Sequence, residues 1–98
     1  MIIEKHIVYI LFSTQYNRFY IGETCDFENR LKQHNSGFYD KSYTKKANDW
    51  KQHLLIECES KKQALKIERH IKKMKSVAYL GNLKKYPEII LKLKQKYQ

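Results

Sequence analysis

The sequence predicts an α+β fold in which a three-stranded antiparallel sheet is flanked by helices. Two runs rich in β-branched and aromatic residues, HIVYILF (6–12) and RFYIG (18–22), are separated by the short polar turn STQYN. This arrangement is typical of an antiparallel hairpin. A third run, KQHLLIECE (51–59), predicts another strand, and segments with helix-capping residues precede and follow it.

The length of the hairpin loop decides where two tyrosines lie. If residues 13–16 form a four-residue loop, Phe12 pairs with Asn17 and Tyr9 lies directly opposite Tyr20. Paired residues share one sheet face, so the two phenols would be side by side. A loop that is one residue longer or shorter would put them on opposite faces, and the two strands alone leave both registers open.

A first helix is predicted over residues 27–35, with Asp26 as its N-cap and Gly37 just past its end. Arg30 and His34 are four residues apart, so both project from one face of this helix. Taken singly, each is an ordinary helix-face residue, and together they suggest a site that handles phosphate.

Residues 38–50, FYDKSYTKKANDW, follow neither period and are predicted to form a loop. Thr44 and Trp50 are expected to brace this loop, with stacking of Trp50 on a base as the lesser alternative. Four lysines in and beside the loop either contact a nucleic-acid backbone or make the loop soluble: Lys41, Lys45, Lys46 and Lys51.

A second helix is predicted over residues 61–75, because Ser60 and Gln63 form a capping-box pattern. The apolar side of its helical wheel holds Ala64, Ile67, Ile71 and Met74, with Leu65 at the edge, and the polar side holds Lys62, Gln63, Lys66, Arg69, His70 and Lys73. A C-terminal helix is predicted over about residues 87–97, with Pro87 in its first turn. Its stripe of Tyr86, Ile90, Leu93 and Tyr97 indicates packing.

Glu68 is the one acidic residue on the inward side of the second helix. A carboxylate directed at a core is costly unless it is paired or bound to a metal. One interpretation is an ion pair with Lys72 or Arg30. The other is a site for Mg²⁺ or Mn²⁺, which take oxygen ligands and keep several waters.

Composition and charge indicate one domain, spanning residues 1–98, with a polyanionic partner. Lys and Arg number 20 against 10 Asp and Glu, which gives a formal net charge of +10. Nucleic acid is the first candidate partner, an anionic membrane surface the second, and a merely solvated basic surface the alternative to both.

The two cysteines, Cys25 and Cys58, lack the spacing of a zinc site. No signal peptide or membrane-spanning run is recognisable, so we expect a cytoplasmic protein with two free thiols. A Cys25–Cys58 disulfide is the alternative.

Together, these motifs resemble the GIY-YIG endonuclease superfamily over about residues 5–80. The resemblance rests on VYI (8–10), YIG (20–22), the pattern R-L-x-x-H-N-x-G (30–37), Trp50 and the helical Glu68. The chain looks most like the small stand-alone members and the N-terminal domain of the excision-repair nucleases. One departure is plain, since Ile7 stands at the glycine of the first triplet and Val8 at its isoleucine, which leaves only Tyr9.

The resemblance implies a metal-dependent endonuclease that hydrolyses DNA phosphodiester bonds, with branched, flapped or damaged DNA as expected substrates. Glu68 would be the protein ligand of one Mg²⁺ or Mn²⁺ ion. Arg30 would hold a non-bridging oxygen of the scissile phosphate, and His34 would donate to phosphate or water.

For the remaining motif residues, the resemblance implies Tyr9 as general base with Tyr20 as its neighbour or substitute. It places both tyrosines in one site, which favours the even-numbered turn and a common sheet face. Gly22 would allow a tight turn of the backbone below the site. Asn82 corresponds to an asparagine that often follows the glutamate.

Two other functions remain open from the sequence. One is a non-catalytic DNA- or RNA-binding module on the same fold, and the other is a small basic ribosome-associated protein. The expected partners are therefore DNA, with RNA as the alternative, and no membrane. The expected oligomeric state is a monomer or a weak dimer.

Overall fold

The three predicted strands pair as one antiparallel sheet in the computed structural model, which describes residues 5–36, 47–74 and 76–98. They are β1 (His6–Ser13), β2 (Arg18–Thr24) and β3 (Lys51–Cys58), in the order β2-β1-β3. The predicted fold class is confirmed, and β2 is an edge strand.

Within the described residues, four helices accompany the sheet: α1 (Phe27–Asn35), α2 (Lys61–Met74), α3 (Val77–Lys85) and α4 (Pro87–Lys96). The bounds of α1 match the prediction, because the Asp26 side chain accepts a hydrogen bond from the Asn29 N–H at 3.2 Å. The sequence pattern did not predict α3. Its start is fixed by Ser76, whose hydroxyl accepts from the Tyr79 N–H at 3.1 Å.

The expected register of the hairpin is wrong by two residues. Tyr9 pairs with Gly22, and Tyr20 pairs with Leu11. The loop is four residues long but occupies positions 14–17, where Asn17 adopts a positive φ of 56°, a conformation that asparagine tolerates better than most residues. Because the shift is an even number of residues, both tyrosines still share one face.

The two faces of the sheet carry separate cores. On one face, Val8 and Ile10 pack with Ile67 and Ile71 of α2, together with apolar residues of α3 and α4. On the other face, Tyr9, Leu11 and Trp50 pack with Phe27 and Leu31 of α1. Helices α1 and α2 therefore lie on opposite sides of the sheet.

The helical wheel of α2 predicted the burial of three residues incorrectly. Gln63 was expected on the polar side but is buried, since its Oε1 accepts from the Glu59 N–H at 2.8 Å and its Nε2 donates to the Lys94 carbonyl at 3.2 Å. Leu65 and Met74 were expected at the apolar side and are exposed. In the C-terminal stripe, Tyr86 is also exposed, whereas Leu93 is buried.

The structure also bears on the expectations for a membrane-spanning segment and for the two cysteines. None of the helices that the structure describes is both long and apolar enough to span a membrane. Cys25 is exposed and Cys58 is buried, and both are free thiols.

Candidate active site

Gly22 leaves room for the ring of Tyr9, its partner across the hairpin. A Cβ atom at Gly22 would lie 2.5 Å from Cζ of Tyr9, with the hydroxyl oxygen closer still. The expected tight turn is wrong, because Gly22 lies within β2. The glycine is required there because any side chain would displace Tyr9, which is 1% exposed.

His34 joins the two tyrosines on the α1 side of the sheet. Its Nε2 and the Tyr9 hydroxyl form a buried hydrogen bond of 3.0 Å. The ring centroids of His34 and Tyr20 are 4.7 Å apart, and those of Tyr9 and Tyr20 are 6.2 Å apart. The structure thus brings together three of the predicted site residues, which we call the tyrosine–histidine cluster (Tyr9, Tyr20 and His34).

The histidine of this cluster is neutral at physiological pH. Burial, with a smaller contribution from the positive charge of Arg30, lowers the pKa of His34 to about 4. Its Nε2 contacts Tyr9, which differs from the expected donation to phosphate or water. A neutral imidazole with a proton on Nδ1 accepts a hydrogen bond from the Tyr9 hydroxyl at Nε2.

Arg30 and Tyr20 form the more accessible part of the site. Arg30 lies one turn before His34 on α1 and is half-buried, as is Tyr20. The effect of Arg30 on the pKa of His34 places its charge close to the cluster. A guanidinium at the border of a buried phenol cluster suits a phosphate that approaches from solvent.

Asn35 fixes the start of β3 against the end of α1, a role that sequence reasoning missed. Its Oδ1 accepts from the Trp50 N–H at 2.7 Å, and its Nδ2 donates to the Trp50 carbonyl at 3.0 Å. Trp50 is 2% exposed and its ring lies edge-on to Tyr20. Bracing of the loop by Trp50 stays a prediction, because most of that loop lies outside the described residues, and the buried ring leaves no open face for stacking on a base.

Glu68 lies on α2, across the sheet from the tyrosine–histidine cluster. Its Oε1 forms an ion pair of 2.6 Å with Lys72 Nζ, one turn further along the helix. The Glu68 side chain is 16% exposed and lines a hollow of about 210 Å³ together with Leu65, Arg69 and Lys72. Of the two ion pairs considered from the sequence, the structure forms the one with Lys72.

The donor set around Glu68 fits one kind of metal site. Within residues 5–36, 47–74 and 76–98 no three His, Cys, Asp or Glu side chains are grouped as metal ligands. A closed protein cage is therefore absent from this part of the chain. Among the described residues, Glu68 is the one carboxylate lining its hollow and is paired with Lys72, so a Mg²⁺ or Mn²⁺ ion held there would have this single protein oxygen ligand, with waters and phosphates as the others.

The other predicted site residues are dispersed. Lys51 is exposed at the start of β3, and Asn82 is exposed on α3, whose apolar residues join the α2-side core. Lys41, Lys45 and Lys46 lie outside the described residues, as do Thr44 and Gly37. The three other histidines are hydrogen-bonded within the fold: His6 with Glu23, His53 with the Leu80 carbonyl, and His70 with Tyr97.

Comparisons with known proteins agree with this arrangement. The sequence model of the GIY-YIG catalytic domain matches residues 5–79. A UPF0213 protein of Syntrophus aciditrophicus (strain SB) is 39% identical over 84 residues, which cover 86% of this chain and 95% of that relative. No solved structure matches the chain. The chain therefore belongs to the GIY-YIG catalytic domain family, an endonuclease-type family whose substrate is DNA.

Proposed function

We propose that the protein is a metal-dependent endonuclease that hydrolyses DNA phosphodiester bonds. The observation that carries this proposal is the buried hydrogen bond between the Tyr9 hydroxyl and Nε2 of a neutral His34. A phenol has an unperturbed pKa of about 10, so it is a poor base near neutral pH without help. The imidazole behind it supplies an acceptor for its proton.

In this proposal the proton of the attacking water moves inward through the cluster. Tyr9 acts as general base and passes its own proton to Nε2 of His34, which holds it only during the attack, because a pKa of about 4 makes the imidazolium release it again. Tyr20, which is half-buried, contacts the water or replaces Tyr9 as the base. Arg30 holds a non-bridging phosphate oxygen and offsets the charge that develops on it.

Glu68 would hold the metal ion from the other side of the edge strand. Ile71 and Lys72 line a hollow with Phe19 and Ile21 of β2, so this end of α2 lies over that strand. A phosphodiester bound at the open edge of β2 is therefore accessible from both faces of the sheet. A metal ion held by Glu68 would supply Lewis-acid stabilisation of the charge on the phosphoryl and leaving oxygens. Lys72 must first release Glu68, and its ammonium is then available to a phosphate.

A second candidate function is a DNA-binding module that does not cut. The Glu68–Lys72 ion pair favours it, because this pair satisfies the carboxylate without a metal and lies across the sheet from the tyrosines. On this alternative, Arg30 still binds phosphate, and the cluster serves only as the core of the α1 face.

The test is a cleavage panel of supercoiled plasmid, flap, branched-junction and RNA substrates with Mg²⁺ or Mn²⁺. We expect the unchanged protein to nick DNA, and Glu68→Gln and Tyr9→Phe to slow nicking by about two orders of magnitude or more. Activity on flaps or junctions above that on plasmid would indicate a structure-specific or repair-related substrate.

Two variants serve as matched controls. Glu57→Gln makes the same change as Glu68→Gln at an exposed glutamate of β3, and Tyr86→Phe removes an exposed phenol. Both are expected to retain full activity. Nicking by Glu68→Gln and Tyr9→Phe at the unchanged rate would contradict the proposal, and DNA binding without cleavage of any substrate would support the second candidate.

A further inference from the structure

A second concave site, which the family match does not account for, lies on the outer face of α2. It is a hollow of about 380 Å³ lined by Lys66, Arg69, His70, Lys73, Lys96 and Tyr97. Four of these six residues are permanent cations, and none is acidic. We call it the α2–α4 basic pocket. Its last two residues lie on or just after α4, beyond residue 79, where the match to the GIY-YIG catalytic domain ends.

The pocket is held together by contacts between α2 and the end of α4. The His70 Nδ1 and the Tyr97 hydroxyl form a hydrogen bond of 2.9 Å, and their ring centroids are 5.7 Å apart. Lys96 Nζ lies 5.4 Å from the centroid of the Tyr97 ring. These contacts place the Lys96 ammonium beside the cations of α2.

The pKa of His70 reflects the positive charges that are grouped in this pocket. Its pKa is lowered first by burial and then by the positive charges of Lys96 and Lys73. Cations grouped in this way repel one another, and a bound polyanion relieves that repulsion.

The spacing of the cations matches a nucleic-acid backbone. Lys66, Arg69 and Lys73 share one face of α2. Lys66 and Lys73 are seven residues apart, about 10 Å along a helix, which corresponds to about three base steps of a DNA strand. Arg69 also lines the hollow beside Glu68, so the α2–α4 basic pocket and the proposed metal ligand are neighbours.

We propose that the α2–α4 basic pocket binds the phosphate backbone of DNA, and that α4 thereby extends the DNA-binding surface beyond the family domain. A strand held there continues past Arg69 towards Glu68 and the edge of β2. The inference rests on the proposed function only in taking DNA as the partner, because binding to the pocket requires neither metal nor cleavage.

The test compares two double variants that each remove two positive charges. Lys73→Gln/Lys96→Gln alters the pocket, and Lys84→Gln/Lys85→Gln alters exposed lysines of α3. All four lysines lie in the last turn of a helix, so the loss of favourable helix-dipole interactions is matched. Binding to a labelled duplex of about 20 bp is measured by fluorescence anisotropy with EDTA present, between about 50 and 200 mM KCl.

We expect the pocket variant to bind the duplex about tenfold more weakly, and the slope of log K against log salt to fall by about 2. The α3 variant should stay within about twofold of the unchanged protein. Equal losses in both variants would show that only net charge matters and would overturn the proposal, as would no loss in the pocket variant.

Two further probes distinguish other anionic partners. A single-stranded RNA that depends on the pocket while the duplex does not would identify RNA as the ligand and overturn the proposal for DNA. Phosphatidylglycerol vesicles bound through the pocket, with duplex binding unchanged in the variant, would identify a membrane surface instead. Because no cleavage is measured, a catalytically inactive protein that binds the duplex through the pocket would still support this inference while contradicting the nuclease.

Discussion

Gly22 and Tyr9 depend on each other through one steric contact. The tyrosine ring lies against the Cα of the glycine, in the space that a side chain would fill. The resemblance to the family pointed to both residues, but not to this reason, because the contact follows from the register of the hairpin. The register in turn depends on where Asn17 ends the loop, which strand patterns do not specify.

Gly22→Ala is expected to destabilise the protein by about 1–3 kcal/mol, because the new methyl group must displace the Tyr9 ring in a packed core. The free energy of unfolding in urea measures this effect. The control is Gly81→Ala on α3, where a Cβ would meet no atom within 4 Å. That change should stabilise the protein by about 0.5–1 kcal/mol, as alanine is the better helix former. An unchanged stability in Gly22→Ala would contradict the contact.

His34 should make stability depend on pH in the acidic range. Its pKa is 6.5 when unperturbed and about 4 in the fold, so the unfolded chain binds more protons between these values. Stability is therefore full above about pH 6.5 and falls as the pH drops towards 4, by up to about 3 kcal/mol. Urea denaturation of the unchanged protein and of His34→Gln should show this loss only in the former. Parallel pH profiles would contradict it.

At the scale of elements, the starts of α1 and α2 were predictable from the sequence, whereas the packing of the helices against the rest of the fold was not. Asp26 and Ser60 mark the first turns of α1 and α2 through local hydrogen bonds, which sequence spacing encodes directly. Burial of Gln63 depends instead on where α4 returns to the fold, and a helical wheel contains no information on that. The start of α3 was not predicted, although Ser76 caps it through the same kind of local hydrogen bond.

Gln63 provides a test of the contact between the start of α2 and α4. Gln63→Met keeps the shape of the side chain but leaves the Glu59 N–H and the Lys94 carbonyl without this partner. We expect a loss of about 1–3 kcal/mol in the free energy of unfolding. Lys62→Met places the same residue at the adjacent exposed position and should change stability by less than about 0.5 kcal/mol. Equal effects would contradict the buried role of Gln63.

For the whole molecule, the candidate site residues could be named from the sequence, but their arrangement around the sheet could be predicted only in part. The tyrosine–histidine cluster forms as expected, because residues of one strand face and one helix face converge. Glu68 is only partly exposed, in keeping with its place on the wheel, but a wheel does not tell which face of the sheet a helix covers. The structure places α2 opposite α1, so the candidate site involves both sides of the edge strand.

This arrangement makes Lys72 a competitor of the proposed metal ion. Lys72→Met removes the ion pair while keeping the length of the side chain. If Glu68 holds the ion, the Mg²⁺ concentration that gives half-maximal nicking should fall about two- to fivefold, since a partly exposed ion pair within one helix contributes up to about 1 kcal/mol. Lys62→Met, an exposed change on the same helix outside this ion pair and outside the α2–α4 basic pocket, is the control. A rise in the required concentration would show that Lys72 assists the ion.

Because of the same ion pair, we expect the chain to fold without the proposed metal ion. Many small metal-binding domains fold only when their metal binds, because the site does not exist in the unfolded chain. Here the ammonium of one helical turn neutralises the carboxylate of the previous turn, so a newly made chain reaches its native shape in a medium depleted of divalent ions. If Glu68 holds the proposed ion, chelation should stop nicking without unfolding the protein, and readdition of the ion should restore nicking without refolding.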